Sequence, residues 1–334
     1  MEGQVTLLAG GPPCQGFSMA GRRDQADPRN ALTEEYIRLI KLIKPRFVVL
    51  ENVRGFNMAF RKNAVGKDEL PYAVRVRTML EKLGYVVFSE LVELNQFAVP
   101  QNRRRFILIA IRAGDPSLRQ LADSTPFDML YAYRKKFLAS KRLPTNGFIS
   151  VKDAIGDLEV TGSELTPCTD TTMRAYQQVA YRSNGFKSPF VALMQKGAKS
   201  PPNSLRLPKH SETTIRQFEM IMNSCKAGRT ISDADRLRLN MKKQVTTPLS
   251  ADMPSATITT LPDDIIHYSE PRVLTARENA RLQTFPDSFE FLGKYTTGGT
   301  RRKTDCPRYT QIGNAVPPLF AEALGRVLKV LANA

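Results

Sequence analysis

Cys14 lies in Gly10-Gly11-Pro12-Pro13-Cys14-Gln15-Gly16-Phe17-Ser18, just after the short apolar run Val5-Thr6-Leu7-Leu8. A strand at Val5–Leu8 would deliver the thiol onto a rigid, exposed loop. The thiolate is the effective nucleophile, and a loop position with nearby cations lowers a thiol pKa. Arg22 and Arg23 are close enough in sequence to supply such charge. The paired prolines fix the backbone, and the glycines let another group approach closely. A solitary cysteine is more often a small buried hydrophobe, but this setting favours a nucleophile.

Three further groups of residues carry chemistry. Glu51 ends the apolar run Phe47–Leu50 and precedes Asn52 and Val53. At the carboxyl end of a strand it would share a rim with Cys14. Partial burial there would raise its pKa and let it donate or share a proton; the alternative is a carboxylate capping the next turn. Gln101-Asn102-Arg103-Arg104-Arg105 lies between Pro100 and the apolar Phe106–Ile111. Strand alternation puts Arg103 and Arg105 on one side and Arg104 on the other. Such guanidinium groups suit phosphates or planar bases, unless the run is a solvated face. Gln311-Ile312-Gly313-Asn314-Ala315-Val316-Pro317-Pro318 opens the last helical stretch.

These residues need a scaffold, and the chain shows one. Asn30–Ile43 has apolar residues three and four apart, and Lys44-Pro45 stops the helix. Phe47–Leu50 reads as a buried strand, Ala73–Leu83 as a second helix closed by Gly84, and Tyr85–Leu94 and Phe106–Ile111 as two more strands. Strands alternating with helices predict a parallel α/β sheet with its site at the carboxyl ends of the strands. Pro, Ser, Thr and Lys then become frequent. Gly114–Ser255 holds 21 Lys/Arg against 13 Asp/Glu and reads as a separate, basic, irregular domain with helices at Asp128–Ser140 and Thr213–Cys225. Thr275 is placed as the N-cap of a helix with Ala276 and Ala280 on its apolar side, and Pro317–Leu331 reads as the final helix. The expected division is 1–112, 113–255 and 256–334.

Composition narrows the function. The 334 residues carry a formal charge of +17, which points to a polyanionic partner such as nucleic acid. Cys14, Cys168, Cys225 and Cys306 are scattered, and the two histidines are His210 and His267. No set has metal-ligand spacing, so no metal is expected. The N-terminus does not read as a signal peptide, and no apolar run approaches the ~18 residues of a membrane span. A reducing compartment is expected: cytoplasm, or a nucleus if the source has one.

Taken in order, P-P-C-Q, E-N-V, Q-N-R-R-R, Arg272-Val273-Leu274-Thr275-Ala276-Arg277-Glu278 and Q-I-G-N-A-V-P-P closely resemble the cytosine-5 DNA methyltransferases. The resemblance covers about residues 5–112 and 254–330 and implies an α/β fold: a partial Rossmann-like S-adenosylmethionine-dependent methyltransferase domain plus a smaller, irregular target-recognition domain. The partner it implies is double-stranded DNA, with the target cytosine flipped out of the duplex; methyltransferases are among the base-flipping enzymes. By resemblance Cys14 attacks carbon 6, Glu51 contacts ring nitrogen 3 and the exocyclic amine, and Arg105 holds the ring oxygen side with Arg103 in support. Pro12, Asn314 and Val316 would line the cofactor. Gln15, Ser18, Arg22, Arg23, Gln101 and Arg272 would serve the DNA side, with Ser18–Asn30 as a closing loop and Arg272 anchoring the recognition region.

The family normally begins with a strand and a Phe-x-Gly-x-Gly loop, and here Cys14 comes early. The resemblance therefore implies a fragment, or one subunit of a split enzyme with a complementary N-terminal subunit. Two other readings compete with it. One is a non-catalytic DNA-binding protein on the same scaffold. The other is a tRNA methyltransferase, disfavoured because its Cys-Phe-Thr tripeptide is missing.

Overall fold

The computed structural model describes residues 4–12, 31–58, 70–171, 175–296 and 305–334. They divide into two compact units. The first is 1–93, 104–134 and 323–334; the second is 94–103 and 135–322.

The first unit is built on β1 (Leu7–Gly10), α1 (Ala31–Ile43), β2 (Phe47–Val53), α2 (Tyr72–Lys82), β3 (Tyr85–Glu93) and β4 (Arg104–Arg112). α3 (Pro116–Leu121) and the start of α4 (Pro126–Ser140) follow. The sheet order is β1-β2-β4-β3. β2 and β4 are nearly continuous apolar runs because both are central strands. Ile40 on α1 and Val76 and Leu80 on α2 pack with Val48, Leu50, Phe106, Leu108 and Ala110 in one core. α1 ends as its sequence requires: Lys44 takes φ 47° and Pro45 follows, a common way to stop a helix.

The strand directions correct the expected parallel sheet. β1 and β2 are parallel, but β4 runs antiparallel to both β2 and β3. The connection Leu94–Arg103 holds one 3₁₀ turn, Leu94–Phe97, and no crossover helix. A parallel return needs a crossover of about a dozen residues or more, so the chain turns back beside β3. The fold is thus mixed α/β.

The second unit holds α5 (Val151–Ile155), β5 (Leu165–Pro167), β6 (Gln177–Val179), α6 (Pro189–Met194), α7 (Glu212–Ser224), α8 (Asp233–Arg238), β7 (Thr247–Pro248), β8 (Ile265–Ile266), α9 (Ala276–Leu282), α10 (Arg308–Asn314) and most of the start of α11 (Pro318–Ala332). The stretch expected to be irregular thus carries several short helices, capped by Ser150, Ser188, Ser211 and Ser232. α10 ends within the Q-I-G-N-A-V-P-P motif, which therefore closes one helix before opening another. Thr275 caps α9 reciprocally: its hydroxyl accepts from the Glu278 N–H at 3.1 Å, and the Glu278 carboxylate accepts from the Thr275 N–H at 2.6 Å.

α9 is buried all round, Arg277 and Arg281 included. Arg281 donates to Asp287 (2.5 Å) and Asp157 (3.1 Å), and Tyr181 also donates to Asp287. Burial opposes the Arg281 charge, but the two carboxylates outweigh it and hold its pKa above the usual guanidinium value. Among the described residues no cluster of His, Cys, Asp and Glu could hold a metal ion, and no helix is long and apolar enough to cross a membrane.

Candidate active site

Sheet register pairs Glu51 with Arg105. In the β2–β4 ladder Glu51 opposes Ile107 and Val53 opposes Arg105, so Arg105 is the diagonal neighbour of Glu51 on one face. Diagonal positions lie about 7–8 Å apart, within reach of long side chains. Arg105 Nε meets Glu51 Oε1 at 2.8 Å, and the side chains are 12% and 18% exposed. The pair is shielded yet accessible. Arg104 points to the other face and pairs with Glu93, its opposite number on β3. The alternation expected for Arg104 and Arg105 therefore holds.

The loop that leads to Cys14 starts beside this pair. A Cβ on Gly11 would lie 3.4 Å from Glu51 Oε2. Asn52 donates to the Pro12 carbonyl at 3.2 Å, and its own Oδ1 accepts from the Val53 N–H at 2.9 Å. The Tyr36 hydroxyl reaches the carbonyls of Leu8 (3.1 Å) and Val49 (2.9 Å). Burial raises its pKa, so it stays a donor. Its ring lies where a side chain on Gly10 would go. Glu51 and Asn52 thus sit beside, and tie down, the last described residues before Cys14. Cys14, Gln15, Ser18, Arg22 and Arg23, with the expected closing loop Ser18–Asn30, lie outside the described residues.

Arg103 belongs to a different construction, in the second unit. It is 1% exposed. Its Nη1 donates to Ile258 O (3.0 Å), and its Nη2 to Gly313 O (2.9 Å) and Ala315 O (3.2 Å). Two of these carbonyls flank Asn314. Gln101 supports the same knot: Nε2 donates to Leu282 O and Gln283 Oε1 (2.8 Å each), and Oε1 accepts from Ile258 N–H (3.1 Å). Gln283 then donates to Ile312 O at 2.7 Å. Q-N-R-R-R and Q-I-G-N-A-V-P-P, distant in sequence, are therefore locked together. Asn314 is exposed, with no hydrogen-bond partner among the described residues, and Val316 is half-buried.

Two residues assigned to the DNA side, Gln101 and the anchoring Arg272, are buried among protein groups. Gln101 is 0% exposed, its amide engaged in the knot above. Arg272 is buried; it forks onto Glu278 at 2.7 and 2.8 Å and reaches Glu270 at 2.7 Å. In both cases a polar side chain that could have reached solvent is needed to satisfy buried groups. Beside Arg272, burial and its positive charge push His267 down to about 3 despite Glu270. The neutral ring accepts from the Ser269 N–H at 3.2 Å.

Gly313 is the tightest point of the knot. A Cβ there would lie 2.2 Å from the Thr259 carbonyl oxygen and 2.5 Å from its carbon. Both are backbone atoms, so no side-chain rotation relieves the clash. Gly313→Ala is expected to destabilise the protein by about 3 kcal/mol, the upper part of the usual overpacking range. Gly325→Ala, on α11 with open space around it, is expected to stabilise by about 0.5–1 kcal/mol. Urea midpoints of the two variants check the contrast.

Known proteins bear on this geometry. The family model described as C-5 cytosine-specific DNA methylase matches residues 1–330. The type II methyltransferase M.DdeI of Desulfomicrobium norvegicum is 30% identical over 338 residues, covering 96% of this chain and 71% of that protein. M.XorII of Xanthomonas oryzae pv. oryzae is 29% identical, covering 98% and 69%. The crystal structure of a putative DNA modification methyltransferase encoded within an E. coli prophage is similar in fold, with a TM-score of 0.63 at 22% identity, covering 99% of this chain and 80% of that one. A family match over residues 1–330, with a relative 30% identical over 96% of the chain, places this chain among the C-5 cytosine-specific DNA methylases.

Proposed function

We propose that this chain methylates carbon 5 of a flipped cytosine in a specific DNA sequence through a covalent Cys14 adduct. The observation that carries the reading is the Glu51–Arg105 pair beside the anchored Pro12 carbonyl. Cys14 adds as the thiolate to carbon 6, forming the S–C6 bond. Glu51 hydrogen-bonds ring nitrogen 3 and the exocyclic amine as charge develops on the ring. Arg105 orients Glu51 through Nε, and its guanidinium holds the ring oxygen side. Arg103 acts as a positioning residue, holding the backbone on both sides of Asn314.

S-adenosylmethionine, when bound, supplies the methyl group to carbon 5. The partnerless carboxamide of Asn314 and the half-buried Val316 fit such a ligand and are proposed to hold it. Loss of the carbon 5 proton and cleavage of the S–C6 bond return the thiolate. The segment 113–255 is proposed to recognise the target beside a partial Rossmann-like catalytic domain. Its excess of Lys/Arg supports this.

An N-terminal part, in a longer form of this chain or as a complementary polypeptide, is proposed to complete the sheet. Among the described residues β1 pairs with β2 and with no other strand, and Leu7 is 40% exposed. Such an edge is a template for a further strand.

Tritiated methyl incorporation into unmethylated duplex DNA tests the reading, with and without the N-terminal part of a relative such as M.DdeI added as a separate polypeptide. Incorporation is expected, and Cys14→Ser should lower it by at least about 10³-fold, as loss of a nucleophile does. DNA containing 5-fluorocytosine should trap the unaltered protein and not the variant. Full activity in Cys14→Ser, or neither incorporation nor adduct in either arm, overturns the proposal.

A further inference from the structure

In the second unit the Arg206 guanidinium is sandwiched between two aromatic rings, 4.4 Å from the Tyr176 centroid and 3.8 Å from that of Tyr295. The cluster continues: Arg308 lies 4.3 Å from the Tyr295 centroid, and Lys209 lies 5.6 Å from that of Tyr176. One end is firmly built. Tyr295 and Arg308 both bond to Asp170, and Asp170 also accepts from the Ser204 N–H at 2.7 Å. The Leu207 N–H donates to the Gln177 carbonyl at 2.8 Å, which seats the Arg206 segment along β6.

The other end is open. Arg206 and Tyr176 are half-buried and Lys209 is exposed. A guanidinium carries five N–H donors in one plane. Two rings lie against the Arg206 guanidinium, yet its N–H groups have no acceptor, and neither Arg206 nor Lys209 has an acidic partner, among the described residues. Asp170, which holds Tyr295, is already matched by Arg308. Stacking fixes the plane of a group that would otherwise lose much rotamer freedom on binding. Two unneutralised cations, one of them pre-oriented, suit an anion with paired acceptor oxygens.

We propose that Arg206 and Lys209, held by the Tyr176–Tyr295 sandwich, contact a phosphodiester of the DNA backbone and set the register of the duplex on this chain. The proposal rests on the reading of the chain as a DNA methylase but concerns binding, so it is judged apart from methyl transfer. Phosphate rather than a base edge is favoured because both free groups are cations, whereas a base edge is neutral.

Fluorescence anisotropy of several unrelated duplexes, titrated over a range of salt, provides the test. The unaltered protein should bind with a log–log salt slope, and each of Arg206→Ala and Lys209→Ala should reduce that slope by about 1, the effect of one lost phosphate contact. Affinity should fall by a similar factor, about 5- to 10-fold, on every duplex. Tyr176→Phe should bind as the unaltered protein does, and Tyr176→Ala should lose most of what Arg206→Ala loses. Lys209 is a surface residue, so its variant keeps the test meaningful should the Arg206 variant misfold. Running the set in a Cys14→Ser background separates the outcomes, since binding does not need the nucleophile. Unchanged slopes in both charge variants, a loss confined to one DNA sequence, or no DNA binding by the unaltered protein overturns the proposal.

Discussion

Replacing Glu51 with glutamine is expected to slow methyl transfer by about 10²–10⁴-fold, the range that a positioned acid–base group contributes, while the protein stays folded. The glutamine carbonyl can still accept from Arg105 Nε, which now meets Glu51 at 2.8 Å. The sheet and the Asn52–Pro12 tie are untouched. On the proposed mechanism, what is lost is a carboxyl group that can donate its proton toward ring nitrogen 3 as Cys14 adds. Adduct formation on 5-fluorocytosine DNA should therefore slow in step with turnover, and DNA affinity should hold. Arg105→Lys should fall between the two, because a lysine keeps the charge but not the planar fork. Single-turnover transfer rates with DNA saturating give the answer. A Glu51→Gln rate within about threefold of the unaltered protein, against an expected 10²-fold or more, removes Glu51 from the chemistry.

The largest expected loss of stability lies elsewhere, at Arg281. Its guanidinium is fully buried, with Asp287 on one side and Asp157 on the other. Arg281→Met would leave two buried carboxylates without their cation. Breaking a buried pair in this way costs about 3–5 kcal/mol. Changing Asp157 and Asp287 to asparagine in the same chain should recover a large part of the loss, since no uncompensated charge remains. The three groups share hydrogen bonds, so their effects should not add. Urea unfolding of the single and triple variants measures both terms. A loss below about 1 kcal/mol for Arg281→Met would mean that the charges are solvated when the variant folds.

The sequence made the local features readable and left the long-range ones hidden. α1, α2, α7 and α11 follow from apolar spacing, and the α9 cap follows from Thr275 and Glu278 lying three residues apart. The Glu51–Arg105 pair was half legible. Both residues could be named, but the register that joins them depends on β4 running antiparallel, and a strand's direction leaves no mark on its own residues. The nearest sign was the lack of any helical pattern between Leu94 and Phe106. The burial of Arg103 was hidden for a related reason. A run of three arginines suggests solvent or phosphate, and nothing nearby reveals that one will be buried against carbonyls more than 150 residues away. Gln101 and Arg272 were drawn to the DNA side by motif membership, although their partners in the fold are protein. Arg277 and Arg281 carried one faint signal: two arginines four apart in a short helix, with Asp287 a short way beyond.

The Arg103 grip also bears on how such a chain can change its target. Three acceptors that grip Arg103 are main-chain carbonyls. Main-chain oxygens are present whatever side chains surround them, so the grip reads the path of the backbone and is blind to composition. Neither compact unit is one continuous stretch of chain, which would ordinarily make exchange of segments by recombination hazardous. A latch that recognises only backbone relaxes that constraint. The sequence between 135 and 322 is free to diverge, or to be replaced by a homologous stretch, with no compensating change at Arg103 as long as the carbonyls at 258, 313 and 315 keep their places.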